Sequence, residues 1–171
     1  MAEPPRTLPE VPKVKDRKER SYHNKPMLKT LLNQGGVMLE FTGLNWLAIL
    51  VATVAGFALG AIWYGPIFGE AWLTAIGKTA DQIQPSAAPF VISFFTALIT
   101  AVVLAMLISA LDISTLGGGV SIGLLVGIGF IATAMASDAA FGDTGLKLWL
   151  IQSGYRVLYS VLMGAILAVW R

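Results

Sequence analysis

Apolar, uncharged stretches organise the chain from residue 41 onward. No charged residue lies within 41–69, 82–111 or 113–137, and the stretch 148–170 is interrupted once, by Arg156. Crossing about 30 Å of hydrocarbon takes roughly 20 helical residues. Each window therefore accommodates one spanning helix, over about 44–64, 89–111, 117–136 and 147–170. The pattern predicts an all-α polytopic membrane protein, four transmembrane helices in an antiparallel bundle.

The links have different characters. Gly65 and Pro66 are expected to stop the first helix, because proline has no amide donor and disfavours helix in the residue before it. Beyond them, Ile67, Phe68, Trp72, Leu73 and Ile76 interleave with Glu70 and Lys78, which suits a short helix lying in the membrane interface. The second link, 112–116, is short enough to predict a tight antiparallel hairpin of helices two and three. The third, 137–145, carries Asp138, Gly142, Asp143 and Gly145 and reads as a turn.

Charge adds an N-terminal region to this picture. Residues 1–37 hold eight of the 12 Lys and Arg residues (Arg6, Lys13, Lys15, Arg17, Lys18, Arg20, Lys25, Lys29) and four of the 10 Asp and Glu residues. Five prolines and no sustained apolar period make 1–37 a basic, mostly disordered tail, with 38–171 as the transmembrane domain. Interleaved acids and a single aromatic, Tyr22, argue against a nucleic-acid arm. The basic excess before the first helix predicts a cytoplasmic N-terminus, and an even number of spans returns the C-terminus to the same side. The expected location is multi-pass in a membrane, with the lipid bilayer as the first partner.

Composition narrows the chemistry. The chain has 56% hydrophobic and 13% charged residues, no cysteine and one histidine, His23 in the tail. Without a thiol, a histidine or a carboxylate pair inside the spans, no nucleophile-and-base arrangement or metal cluster presents itself. The sequence thus points away from an enzyme and calls for no catalytic residues, metal or cofactor.

Small residues recur four apart on the spans: Ala48, Ala52, Gly56 and Gly60; Ser93, Ala97, Ala101, Ala105 and Ser109; Gly119, Gly123 and Gly127; Ser160, Gly164 and Ala168. That spacing keeps them on one face, where backbones approach closely. The faces suit packing inside the bundle, and one left over suits a homo-oligomer or a subunit contact in a larger membrane complex. Trp46, Trp63, Tyr64, Trp72, Trp149 and Trp170 fall near helix ends, as interfacial aromatic residues do.

Asn45-Trp46, then Gly60 with Trp63-Tyr64-Gly65-Pro66, Phe68-Gly69 and Trp72, and later Gly154-Tyr155 with Met163-Gly164-Ala165-Ile166-Leu167, form a motif set. Over about residues 42–171 the chain resembles a family of small bacterial membrane proteins, domain-of-unknown-function family 1761. The resemblance implies a four-helix architecture and a bacterial source. It supplies no activity and no catalytic residues.

Arg156 is the remaining chemical signal, the one charge deep in a predicted span. A lipid-facing arginine at mid-depth costs at least about 2.5 kcal/mol on insertion scales unless it snorkels or finds partners. Gln152 and Tyr159 share its helix face, and Asp138 is the nearest carboxylate in sequence. Arg156, Gln152, Tyr159 and Asp138 are therefore the candidate partner- or ligand-binding residues, with Tyr64, Thr96 and Thr133 as alternative neutral acceptors inside the chain. An arginine does not cycle a proton near neutral pH. The expected role is a structural or accessory membrane protein, with a small-solute or anion carrier acting as a homo-oligomer as the alternative.

Overall fold

A computed structural model describes residues 41, 43–84 and 86–171. The expectation of a disordered tail over 1–37 lies outside them. The described residues are helical without strands, and four helices are long and apolar enough to cross a membrane: α1 (Trp46–Ile67), α3 (Ala88–Ala110), α4 (Leu116–Phe141) and α5 (Leu146–Val169). A short helix, α2 (Gly69–Ala75), follows α1 in the long link.

Local chemistry sets the helix ends. The Asn45 side chain accepts a hydrogen bond from the Ala48 amide (3.0 Å), capping α1, and its own amide donates to the Trp170 carbonyl (3.2 Å) at the far end of α5. The Thr115 hydroxyl accepts from the Gly118 amide (3.1 Å) and caps α4. Asp112 and Asp143 take positive φ (53° and 51°) in the turns before α4 and α5, a conformation aspartate tolerates better than most side chains.

Pro66 does not stop the first helix. The backbone widens into a π-helical segment over Trp63–Ile67, and the Phe68 amide reaches back five residues to the Trp63 carbonyl (2.8 Å). Widening accommodates the missing proline donor while keeping the other backbone groups paired, as hydrocarbon surroundings require. A second π-helical segment, Gly127–Ala132, interrupts α4. Carbonyls loosened there find side-chain donors: the Thr133 hydroxyl reaches Gly129 (2.7 Å) and Phe130 (3.3 Å), and the Trp149 indole of α5 reaches Ala132 (3.2 Å).

The third helix also runs past its expected end, so Ser137 and Asp138 are helical, and the link to α5 shrinks to 142–145. Nothing in 137–141 breaks a helix: the segment has neither proline nor glycine, and the Gly142 amide closes it by donating a hydrogen bond to the Asp138 carbonyl (2.8 Å).

Packing differs from the expected hairpin of helices two and three. α4 lies along α5 and touches α3 only slightly, while α1, α3 and α4 all pack on α5. The centrality of α5 shows in its burial, 44% of its most apolar stretch against 28–33% in the other three spans. Glycine explains the choice. A Cβ on Gly123 would lie 2.5 Å from the Ser160 carbonyl oxygen, one on Gly127 would lie 2.8 Å from the Val157 Cα, and Gly119 and Gly164 meet backbone to backbone. On the other side of α5, Ala48, Ala52 and Gly56 of α1 and Ala97, Ala101 and Ala105 of α3 are buried around Tyr159 and Met163. Most of the small-residue faces are thus spent inside the chain. Lipid offers no hydrophobic drive for helix association, so these close approaches supply dispersion contacts instead.

Candidate functional site

Arg156 lies ten residues into α5, about 15 Å along an axis of about 36 Å. Its surroundings follow from the 100° turn per residue. Tyr159, to one side, donates its hydroxyl to Thr100 on α3 (2.9 Å), whereas Val157 and Ser160, to the other, face the glycines of α4. Arg156 emerges between these two sectors, where α3 and α4 hardly meet and α5 is left as the floor of a wedge. It is half-buried, as is Gln152 one turn earlier.

Two aromatic rings take up the guanidinium. Its central carbon stands 5.6 Å from the ring centroids of both Tyr155 and Tyr159, which stack on each other at 5.3 Å. Both rings are anchored: the Tyr155 hydroxyl donates to the Gly56 carbonyl of α1 (3.1 Å) and Tyr64 meets Tyr155 edge-on at 5.3 Å, while Tyr159 is held by its bond to Thr100. Gly60 allows this approach, since a Cβ there would fall 2.9 Å from the Tyr155 hydroxyl. The Trp63 indole donates to the Ile151 carbonyl (2.9 Å), clamping α1 to α5 on the same side.

Cation–π contacts contribute about 0.5–2 kcal/mol each, depending on desolvation. Two of them offset much of the cost of placing an arginine at this depth, about 2.5–3.5 kcal/mol on insertion scales. They leave its charge unneutralised. Among the described residues no carboxylate and no hydrogen-bond acceptor pairs with the Arg156 guanidinium.

The predicted site is therefore assembled in part. Arg156 and Tyr159 come together, Gln152 lies one turn earlier on the same helix, and Asp138 does not join them. Gly127 packs level with Val157, so Asp138, eleven residues further along α4, sits roughly 16 Å away along the axis, and it is exposed. The neutral acceptors considered from sequence are occupied elsewhere: Thr96 donates to the Ser93 carbonyl (3.0 Å), Thr133 bonds its own helix, and Tyr64 serves as a ring. Sequence reasoning missed Tyr155 and Thr100. Tyr155 had a signal available, since Tyr155 and Tyr159 are one turn apart and flank Arg156. Thr100 had none, because the α3–α5 pairing is not written in either helix alone.

A polar closure ties the other end of the spans. Arg171 pairs with Asp112 and donates to the Ile113 carbonyl (3.3 Å), joining the end of α5 to the α3–α4 turn beside a cavity of about 300 Å³ lined by Asn45, Ser109 and Trp170. The ion pair is exposed, so its contribution is small.

Comparison with known sequences and structures places the chain by family alone. Neither the search of curated proteins nor that of solved structures finds a match. Residues 47–168, which span α1 to α5 and contain the whole Arg156 cluster, match the family described as "Protein of unknown function (DUF1761)", and the chain belongs to that family.

Proposed function

We propose that this protein is a non-enzymatic accessory subunit of a larger membrane assembly and that it engages its partner through the α5 face carrying Arg156. The observation behind this reading is the half-buried, mid-span guanidinium held by two tyrosine rings without an anionic partner among the described residues. A positive charge at this depth is stabilised further by an anion, and where the described residues supply none, another molecule completes it. Most of the small-residue faces are used internally, which favours assembly through the polar face over a glycine seam. The proposed setting is a bacterial inner membrane, with both termini cytoplasmic by the excess of basic residues before α1.

Affinity purification from native membranes tests the reading. Wild type is expected to retain a partner at fixed stoichiometry, Arg156→Leu to insert and fold but lose it, and Arg156→Lys to retain part of it, because lysine keeps the charge without the planar fork. A wild-type protein that purifies alone and supports saturable anion flux in liposomes would instead favour a homo-oligomeric carrier.

A further inference from the structure

We infer that the wedge between α3 and α4 receives a transmembrane helix of a different polypeptide, bearing a carboxylate at the depth of Arg156. The inference rests on the partner-binding reading above and narrows it to one occupant. Three observations carry it.

The first is shape. α3 and α4 both lean on α5 but hardly on each other, so the strip of α5 between the Tyr159 and Ser160 sectors lacks a covering helix along the described chain. Thr96 is exposed on the α3 face that carries Thr100, and Gln152 lies half-buried one turn before Arg156. The wedge therefore has polar groups at the level of the charge and apolar walls elsewhere. The Gln152 amide supplies a donor for the second oxygen of a carboxylate that Arg156 holds.

The second is depth. Lipid phosphates lie outside the hydrocarbon, whereas Arg156 stands about 15 Å inside one end of α5 and about 20 Å from the other. A carboxylate on a helix reaches that level without dragging a headgroup into the membrane.

The third is charge complementarity, which selects against a second copy. The carboxylates among the described residues are Glu70, Asp81, Asp112, Asp138 and Asp143, all in links, turns or the last turn of a span. None reaches Arg156 across a face-to-face pair of these chains, and such a pair would instead oppose two arginines.

The test uses the full chain in phosphatidylcholine liposomes with a donor dye in the α3–α4 turn. Synthetic polyleucine transmembrane peptides with a central Glu, Gln or Lys carry the acceptor. The Glu peptide is expected to associate about tenfold more tightly than the Gln peptide, a difference equivalent to about 1.4 kcal/mol, and the Lys peptide least. Arg156→Gln should abolish the preference, and Arg156→Lys should keep part of it. Thr96→Trp, which fills the wedge and leaves Arg156 intact, should weaken Glu-peptide binding even where Arg156→Gln proves too unstable to assay.

Equal binding of Glu and Gln peptides overturns the inference, as does a Glu preference that survives Arg156→Gln. Loss of the preference on adding phosphatidylglycerol would assign the site to a lipid anion, and blockade by unlabelled copies of the chain would assign it to a homo-oligomer. Either result rejects the proposed occupant. The broader accessory reading fails separately, if wild type retains no partner in native membranes. Partner retention that is independent of Arg156 would leave the accessory role standing but reject the Arg156 face as its interface.

Discussion

Replacing Gly123 by alanine tests the α4–α5 seam with a single methyl group. The added Cβ would stand 2.5 Å from the Ser160 carbonyl oxygen and 2.6 Å from the Val161 Cα, where ordinary contact begins near 3.4 Å. Both obstacles are backbone, so no rotamer change relieves them, and the helices must part by about 1 Å. Overpacking of this kind costs about 1–3 kcal/mol. Two controls separate sterics from helix propensity. Gly129 lies in the same span with open space around it, so Gly129→Ala should be neutral or stabilising by up to about 1 kcal/mol. A Cβ on Gly56 would meet the tip of Met163 at 2.6 Å, a flexible end that moves aside, so Gly56→Ala should cost less than Gly123→Ala. Reversible unfolding by SDS in mixed micelles, followed by tryptophan fluorescence, ranks the three. If Gly123→Ala is as stable as Gly129→Ala, α4 does not lie on α5 as described.

Tyr155→Phe removes the hydroxyl bonded to the Gly56 carbonyl and should cost about 0.5–1.5 kcal/mol in the same assay, while leaving the ring beneath Arg156 and hence partner retention intact. Trp149→Phe deletes the donor to Ala132 in the α4 π-helical segment, so amide hydrogen exchange should quicken around 127–133 and remain unchanged in α1. Reporter fusions after Lys78, Leu116, Asp143 and Arg171 should read outside, inside, outside, inside, and a cytoplasmic signal at Lys78 would reject the orientation. A chain beginning at Met38 should insert and keep the wild-type unfolding midpoint, because the four spans and the contacts among them all lie beyond residue 40.

The number and placement of spans are legible because charges are largely excluded from hydrocarbon, and the gaps Glu40–Glu70, Asp81–Asp112 and Asp112–Asp138, with the run after Lys147 broken only by Arg156 before Arg171, mark the four helices directly. Pairing is less legible. The stripe of Gly119, Gly123 and Gly127 announces a close approach without naming its partner, and Ser160, Gly164 and Ala168 on α5 offer a match no more distinctive than the small residues of α3. Pro66 misled for a physical reason: the rule that proline ends a helix assumes water to hydrate the freed carbonyl, and in a span the backbone widens to stay paired. At the candidate site, the depth of Arg156 was readable from its place in an apolar run. Its two-ring seat was not, because the rings are oriented by α1 and α3 through the Gly56 carbonyl and the Thr100 hydroxyl.

The central claim is that the Arg156 face of α5 meets another protein within the membrane, and site-specific photocrosslinking in native membranes tests it most directly. A photoreactive residue replacing Gln152 should give an adduct with a different polypeptide. The same residue replacing Leu158, exposed on the opposite side of α5, should give only lipid adducts. Identical adducts at the two positions, or adducts at position 152 composed solely of lipid or of a second copy of this chain, would contradict the account.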